Sequence, residues 1–563
     1  MRVIVGVVVA LVALAAGGPA ARAAQVADNI RFKASDGVEL QTTVTGQGPL
    51  APRPVIVEFS PYGRNSQTYA PSAAYNLLLV QIRGTGDSDG HFDALGNRTQ
   101  SDVVEILRWA CHQPWSDGRL ALNGFSASAI MVYNSLHLAL PCVKAAVLKS
   151  GTYELYRDLL WPGGIQNLVV GIGVLGLIGT PAAEQAPDRL QRNPASSVDV
   201  AAGLADSGTS AGNHPMLDDW WRERGFRGDV NHLPILMIDG FFDVESRGAF
   251  QAYQRLRGDG AHLLVVGAHD GAPKGTDAGV GEMGAWFDHY VRGVANGVES
   301  HPRVQLWLSD GDREDDLAGK FVRYNGTDWP IPGTTWRSLA LDPARSGTAN
   351  SINDGTLSPT APRAATDQSY PELPSIPGSS DPPNTAIVGG DGVNALADAF
   401  PPFTEMTLAE PDALSYTTRP FTTDVLSAGP ANLEVRLSST APETGIWAVL
   451  ADVWPDGTAH PLTAGRLLNS YPNIDRRRSL RDRTGAIVQP YGIYDHKTPA
   501  APGQSRLYHV EFWPVGNRFK RGHRLRVDIL GVSAVSAPSA PAVDTVRVGG
   551  RGASRLLFPV LPG

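Results

Sequence analysis

The sequence is expected to fold as an α/β domain carrying an inserted helical segment, followed by an all-β sandwich. Three observations carry this expectation. Short apolar runs alternate with helical stretches from Pro54 to about Asn296, that rhythm breaks between Tyr153 and Asn231, and strand-like segments with little helical periodicity follow one another after Gly297.

At the start, Arg2, the apolar run Val3 to Ala16 and the small residues around Ala21-Arg22-Ala23 fit a secretory signal peptide over 1–23. About fourteen apolar residues fall short of the roughly twenty that a spanning helix needs. The chain is therefore expected to be secreted, periplasmic or extracellular, with no membrane span after cleavage. The α/β core is placed at 26–152 and 232–297. Its runs Val55-Ile56-Val57, Leu77 to Ile82, Leu120 to Leu122, Val143 to Leu148, Ile235 to Ile238 and Leu263 to Val266 are short and wholly apolar, as strands of a parallel sheet covered on both faces are. The insertion, 153–231, is rich in Trp, Gly and Leu, and Asn167 to Thr180 is nearly all apolar, so it reads as a helical cap that lines a substrate pocket. From 298 to 563, Val304 to Ser309, Leu433 to Leu437, Ile446 to Val453, Leu507 to Phe512 and Leu525 to Leu530 alternate or are β-branched, which argues a β-sandwich. Within it Pro343 to Pro401, dense in Pro, Gly, Ser, Asn and Asp, reads as a long excursion wrapping the sandwich or a partly disordered loop.

Composition narrows the function. With 48 basic and 56 acidic side chains, scattered and summing to −8, no nucleic-acid partner is expected. The dense cluster Arg476-Arg477-Arg478, with Arg481 and Arg483, lies among Asp475 and Asp482 and reads as a solvated loop. The thirteen histidines show no ligand-like spacing with Cys or acidic residues, so no metal or other cofactor is expected. Arg83 to Gly90 contains Gly84, Gly86 and Gly90 but lacks the Lys-Ser/Thr and helix start of a phosphate loop. Cys111 falls near the end of a helical stretch, Gln100 to His112, and Cys142 precedes the run Val143 to Leu148. In a parallel α/β unit both positions lie at the sheet edge opposite an active site, so a Cys111–Cys142 disulfide is expected, against the alternative of two buried free thiols.

The chemistry centres on Gly124-Phe125-Ser126-Ala127-Ser128. It follows Leu120-Ala121-Leu122 and opens onto Ala129-Ile130-Met131-Val132-Tyr133, which reads as a strand, a sharp turn bearing a serine, and a helix. Such a turn pushes the hydroxyl clear of the backbone and aims the Ala127 amide, from a helix N-terminus, at any negative charge forming nearby. The second glycine of G-x-S-x-G is missing, so the rest of the chain must support the assignment. Serine needs a base, and the base an orienting acid. In an α/β hydrolase they follow in the order Ser, acid, His at strand ends. Ile235 to Ile238 leads to Asp239-Gly240-Phe241-Phe242-Asp243, and Leu263 to Val266 leads to Gly267-Ala268-His269-Asp270. Asp243 is preferred as the acid to Asp239, which directly follows its apolar run. His269 is preferred as the base to His262, which precedes its strand, and to His289, which sits in a helical stretch; Asp270 reads as a loop carboxylate. Ser60-Pro61-Tyr62-Gly63-Arg64 follows the first core strand, so the Tyr62 phenol is the candidate second oxyanion donor beside Ala127, with simple packing as its alternative.

Ser60-Pro61-Tyr62, Arg83 to Gly90, Asp117-Gly118 leading to Gly124-Phe125-Ser126, Gly240 to Asp243, Trp286-Phe287-Asp288 and Arg292-Gly293 resemble the cocaine esterase family of serine hydrolases, related to X-prolyl dipeptidyl aminopeptidases and α-amino acid ester hydrolases. Asp452-Val453-Trp454-Pro455-Asp456-Gly457 and Phe519 to Leu525 extend the resemblance into the β domain. It implies an α/β-hydrolase core, a helical cap and a C-terminal jelly roll, with Ser126, Asp243 and His269 as the triad and Tyr62 and Ala127 as the oxyanion hole. The family usually has Tyr after the nucleophile and Gly two residues on, where this chain has Ala127 and Ser128.

The resulting expectation is a secreted serine esterase or acyl hydrolase acting on a small ester, amide or short peptide. The alternative is an Xaa-Pro dipeptidyl-peptidase or α-amino acid ester hydrolase, which would need carboxylates to bind a free ammonium; Glu154, Asp158, Asp218 and Asp219 are the candidates. A non-catalytic exported binding protein with a decayed core is a third reading.

Overall fold

The computed structural model describes residues 25–64, 72–228, 233–243, 245–256, 260–268, 278–312, 314–315, 320–372, 406, 410–531 and 540–563. The signal peptide expected at 1–23, and both His269 and Asp270, lie outside the described residues.

The first sheet is built from β1 (Gln25–Lys33), β2 (Glu39–Gln47), β3 (Arg53–Ser60), β4 (Asn76–Gln81), β5 (Ser116–Phe125), β6 (Val143–Lys149), β7 (Ile235–Phe242), β8 (His262–Ala268), β9 (Val304–Leu308) and β10 (Val322–Gly326). Their spatial order is β1-β2-β4-β3-β5-β6-β7-β8-β9-β10. Neighbours from β4 to β9 are parallel, and antiparallel strands close both edges. Period-two alternation sends adjacent residues of each central strand to opposite faces. Val55, Val57, Leu120, Leu122 and Met237 join one core cluster, while Ile56, Ala121, Leu236 and Ile238 join another. Both faces are buried, which is why these strands carry no polar alternation.

Helices α1 (Asn97–Ala110), α2 (Ala127–Ser135), α3 (Leu168–Glu184), α4 (Ala186–Arg192), α5 (Pro194–Asn213), α6 (Asp219–Arg222), α7 (Ser246–Leu256) and α8 (Ala278–Tyr290) accompany the sheet. α1 buries Val103, Ile106, Leu107 and Ala110, the spacing of one helical stripe. α2 is buried along all nine residues. On the opposite face, Met283, Trp286 and Phe287 of α8 pack on the second cluster.

Between β6 and β7 the chain runs through α3 to α6. Polar contacts with the Arg83–Gly90 loop fasten this insertion. Arg192 reaches Asp87 and Asp89, each at 2.9 Å, Ser196 Oγ donates to Asp89 at 2.8 Å, and Arg189 donates to the Gly86 carbonyl. The loop is itself anchored where Arg83 Nε donates to Asp102 Oδ2 at 2.6 Å. The loop thus serves as a structural clasp. Among the described residues no helix is long and apolar enough to cross a membrane.

The second sheet contains β11 (Thr335–Asp342), β12 (Asn353–Ser358), β13 (Ala365–Glu372), β14 (Leu414–Thr417), β15 (Val425–Ser439), β16 (Gly445–Val453), β17 (Ala459–Leu468), β20 (Arg506–Phe519), β21 (Arg524–Leu530), β22 (Ala542–Gly549) and β23 (Arg555–Val560); β18 (Leu480–Arg481) and β19 (Ile487–Gln489) form a separate ribbon. The order is β13-β22-β15-β20-β17-β16-β21-β14-β12-β11-β23, with β15 also bonded to β23. The arginine cluster lies on the exposed turn before β18, where Asp475 accepts the amides of Arg477 and Arg478.

Two sequence expectations need correction. The sequence pattern places Val304 to Ser309 in the sandwich, with a start at 298, yet β9 pairs in parallel with β8 and belongs to the first sheet. The reason is topological: α8 is the crossover of a β8–α8–β9 unit, and the apolar β9 completes it. Residues 343–372 also do not form a loose excursion, since β12 pairs with β11 and β14, and β13 with β22. The inward positions of β13 are Gln368, Tyr370 and Glu372, so its alternation is invisible to a hydropathy pattern. The remainder of the excursion, 373–401, lies outside the described residues.

Cys111, just after α1, is bonded to Cys142, just before β6, with Cα atoms 6.2 Å apart. Both sit at the edge of the sheet away from Ser126. Closing a loop across a sequence separation of 31 restricts the unfolded chain, so the double variant Cys111→Ser/Cys142→Ser should lose about 4 kcal/mol in equilibrium urea unfolding.

Candidate active site

Ser126 stands between β5 and α2 with φ 53° and ψ −124°, a conformation that non-glycine residues avoid. Neighbouring backbones hold it there: its amide donates to the Lys149 carbonyl and its carbonyl accepts from Ile130, both at 3.0 Å. The bend folds α2 back so tightly that a Cβ on Gly124 would lie 2.5 Å from the Ala129 backbone. This is the glycine the turn requires. Ser128, at the position of the missing second glycine, is fully buried without obstructing the helix.

β7 extends to Phe242, four residues beyond the apolar run, which places Asp239 inside the strand and Asp243 immediately after it. Asp243 is fully buried, and its Oδ1 accepts the Glu245 amide at 2.8 Å. β8 ends at Ala268, which is in register with Phe242, so the residues that precede His269 and Asp243 are paired neighbours. The competing histidines lie elsewhere. His262 opens β8 at the far edge, where burial beside Trp286 lowers it to about 4. His289 is on α8, 3.2 Å from Glu299.

Tyr62 follows β3, its amide donating to Ser60 Oγ at 3.1 Å. Its hydroxyl accepts the Ala127 amide at 3.2 Å, so these two groups converge beside Ser126. Burial pushes the phenol up to about 12, a rise only partly opposed by hydrogen bonds with Ser126 and Ala127.

A cavity of about 300 Å³ adjoins this group, with Tyr62, Ser126, Ala127 and Glu245 on the core side. Leu160, Trp161, Val174, Leu175 and Ile178 supply the inserted side. Small residues of α5 make room: a Cβ on Gly208 would lie 2.9 Å from Leu175. Glu245 is the acidic residue that sequence reasoning missed. Its position two residues beyond Asp243, on the same strand-end loop, was the available signal.

The four acidic residues considered for ammonium binding are engaged elsewhere. Glu154 lies 2.7 Å from Arg157, and Asp158 is paired with Arg247. Asp218 caps α6 and contacts His214 at 2.5 Å, while Asp219 is exposed beside Arg222. None lines the cavity. Among the described residues no group of His, Cys, Asp and Glu is placed to hold a metal.

Comparison with known proteins gives this geometry a family. Residues 36–270 match the X-Pro dipeptidyl-peptidase (S15 family) domain, and 296–550 match the X-Pro dipeptidyl-peptidase C-terminal non-catalytic domain. Cocaine esterase of Rhodococcus sp. (strain MB1 Bresler) is 24% identical over 556 residues, covering 90% of each chain. A putative Xaa-Pro dipeptidyl-peptidase of Streptomyces avermitilis is 22% identical over 72% of this chain and 59% of its own length. The fold is shared with a CocE/NonD family hydrolase of Staphylococcus aureus (TM-score 0.76, 17% identity, 96% and 94% of the two chains). It is also shared with an α-amino acid ester hydrolase (TM-score 0.70, 16% identity, 97% and 98%). The chain belongs to the serine hydrolases that join an S15-family peptidase domain to the C-terminal non-catalytic domain of X-Pro dipeptidyl-peptidases, a group that its likeness to cocaine esterase also indicates.

Proposed function

We propose that this chain is an exported serine esterase for apolar acyl esters, with the insertion acting as a helical cap and the second sheet as a jelly-roll wall. The observation that carries the reading is a serine on a strained strand-to-helix turn, facing a cavity whose inserted side is aliphatic and aromatic. Ser126 Oγ attacks the ester carbonyl as His269 takes its proton, and Asp243 orients the imidazolium. The carbonyl oxygen becomes an oxyanion held by the Tyr62 hydroxyl and the Ala127 amide. His269 returns the proton to the departing alcohol. Water, deprotonated by the same imidazole, then attacks the acyl carbon, and the imidazolium gives that proton to Ser126 Oγ as the C–Oγ bond breaks and the acid leaves. The likeness to cocaine esterase supports an ester substrate.

A second reading, hydrolysis of an α-amino ester or Xaa-Pro peptide, is favoured by one observation: the Glu245 carboxylate lines the cavity and could receive an ammonium. The S15-type domain and the α-amino acid ester hydrolase fold are consistent with it.

Ser126→Ala should abolish turnover and fluorophosphonate labelling while leaving the Tm unchanged; residual turnover above about one part in 10³ would remove Ser126 from the mechanism. Tyr62→Phe should lower kcat by roughly 10²-fold with little change in KM. Because Tyr62 is raised from 10.0 to about 12, its phenol keeps its proton well past the ordinary tyrosine range. Wild-type kcat/KM should accordingly stay level from about pH 8 to 10, where an unshifted tyrosine would be half ionised, and decline below roughly pH 6 to 7 as the imidazole protonates. Nitrophenyl butyrate should be preferred to an Ala-Pro anilide by more than about 10²-fold in kcat/KM. A reversed preference, abolished selectively by Glu245→Gln, would establish the second reading instead.

A further inference from the structure

A small cavity lies where the insertion, the core and the second sheet meet, lined in part by Arg157, Gly163, Arg247, Arg466, Glu511 and Trp513. Its volume of about 20 Å³ holds one water-sized particle. Three guanidinium groups face it, and two are balanced. Arg157 Nε lies 2.7 Å from Glu154 and its Nη1 donates to the Gly492 carbonyl at 2.6 Å. Arg247 pairs with Asp158 and, at 3.2 Å, with Glu511.

Arg466 is different. It is on β17 with only 8% of its surface exposed, and its backbone touches the insertion at Gly163. Its guanidinium lies over Trp447, 4.4 Å from the ring centre, and more distantly over Trp513. Among the described residues no carboxylate lies within ion-pair distance of it, and its buried Nη1 has no acceptor. An arginine does not relieve burial by losing its proton under ordinary conditions, and ring stacking meets the face of the guanidinium while leaving its in-plane donors unanswered. Burial without a counter-charge also lowers its proton affinity.

We propose that this cavity binds one chloride-sized monovalent anion, with Arg466, the lining arginine without a carboxylate partner among the described residues, as its principal ligand beside the carboxylate-paired Arg157 and Arg247. The small volume favours a single-atom anion over a larger one such as phosphate, and Glu511 on the lining disfavours higher charge. The anion would tie β17 and the Gly163 turn to α7, whose Arg247 lies four residues beyond Asp243. The site is separate from the Ser126 cavity and does not depend on the ester assignment.

The test uses the full-length protein in sodium gluconate, whose bulky anion fits a site of this size far less well than chloride, titrated with sodium chloride at constant ionic strength. The Tm should rise saturably by about 2 °C or more, bromide should substitute, and Arg466→Met should abolish the dependence. Equal Tm values in chloride and gluconate, or a dependence that persists in Arg466→Met, would overturn the proposal. Should Arg466→Met fail to fold, bromide-soaked wild-type crystals decide it: an anomalous peak in hydrogen-bond contact with Arg466 supports the site, and its absence with water in that place refutes it.

Discussion

A buried chain of charge from Asp158 through Arg247 to Glu511 holds the three parts of this molecule in register. Asp158 lies early in the insertion, Arg247 opens α7 of the core, and Glu511 is on β20 of the second sheet. The side chains of Asp158 and Arg247 are 0% and 4% exposed, so each charge has given up most of its hydration. That loss is offset only when the geometry is met, here by two carboxylates on one guanidinium and the Thr152 hydroxyl donating to Asp158. Burial raises Asp158 above the usual carboxylate range, even beside Arg247. The acid loop at Asp243 and the cavity wall at Trp161 are each a few residues from this cluster. Its register therefore reaches both the site and its ceiling.

The site combines a sheet edge beneath with a lining drawn from the insertion above. Parallel strands buried on both faces deliver Ser126 and Asp243 to one edge, and the near-contact of Gly124 with Ala129 fixes the turn between them. Under the proposed function, substrate choice falls to side chains above that edge. The small Ala127 lines the cavity where a larger neighbour would narrow it, and the small residues of α5 leave depth beneath α3. Ser128 shows why the missing second glycine is a local matter: that position is buried in α2 without controlling the bend.

Most of the first sheet was legible because burial on both faces leaves unbroken apolar runs, and the serine turn because its residues are contiguous. Boundaries were harder to read. β9 resembles the strands that follow it, and only its parallel pairing with β8 assigns it to the first sheet. β13 points Gln368, Tyr370 and Glu372 inward, among them groups answered by partners distant in sequence, as where the Tyr416 hydroxyl donates to Gln368. Glu245 stood in plain view beside Asp243, yet nothing local distinguishes a cavity-lining carboxylate from a helix-start one.

The sequence by itself determined what local chemistry can encode: the doubly covered strands, the strand-to-helix turn at Ser126, the order of serine, aspartate and histidine, and the match to the S15-type hydrolases. Tertiary structure alone decided which acidic residues face the cavity, that β9 belongs to the first sheet, and that Arg466 is buried without a counter-charge. The physical reason is that desolvation and charge pairing depend on which distant segments meet, and in this chain those segments, Asp158, Arg247, Arg466 and Glu511, converge only once the domains have packed.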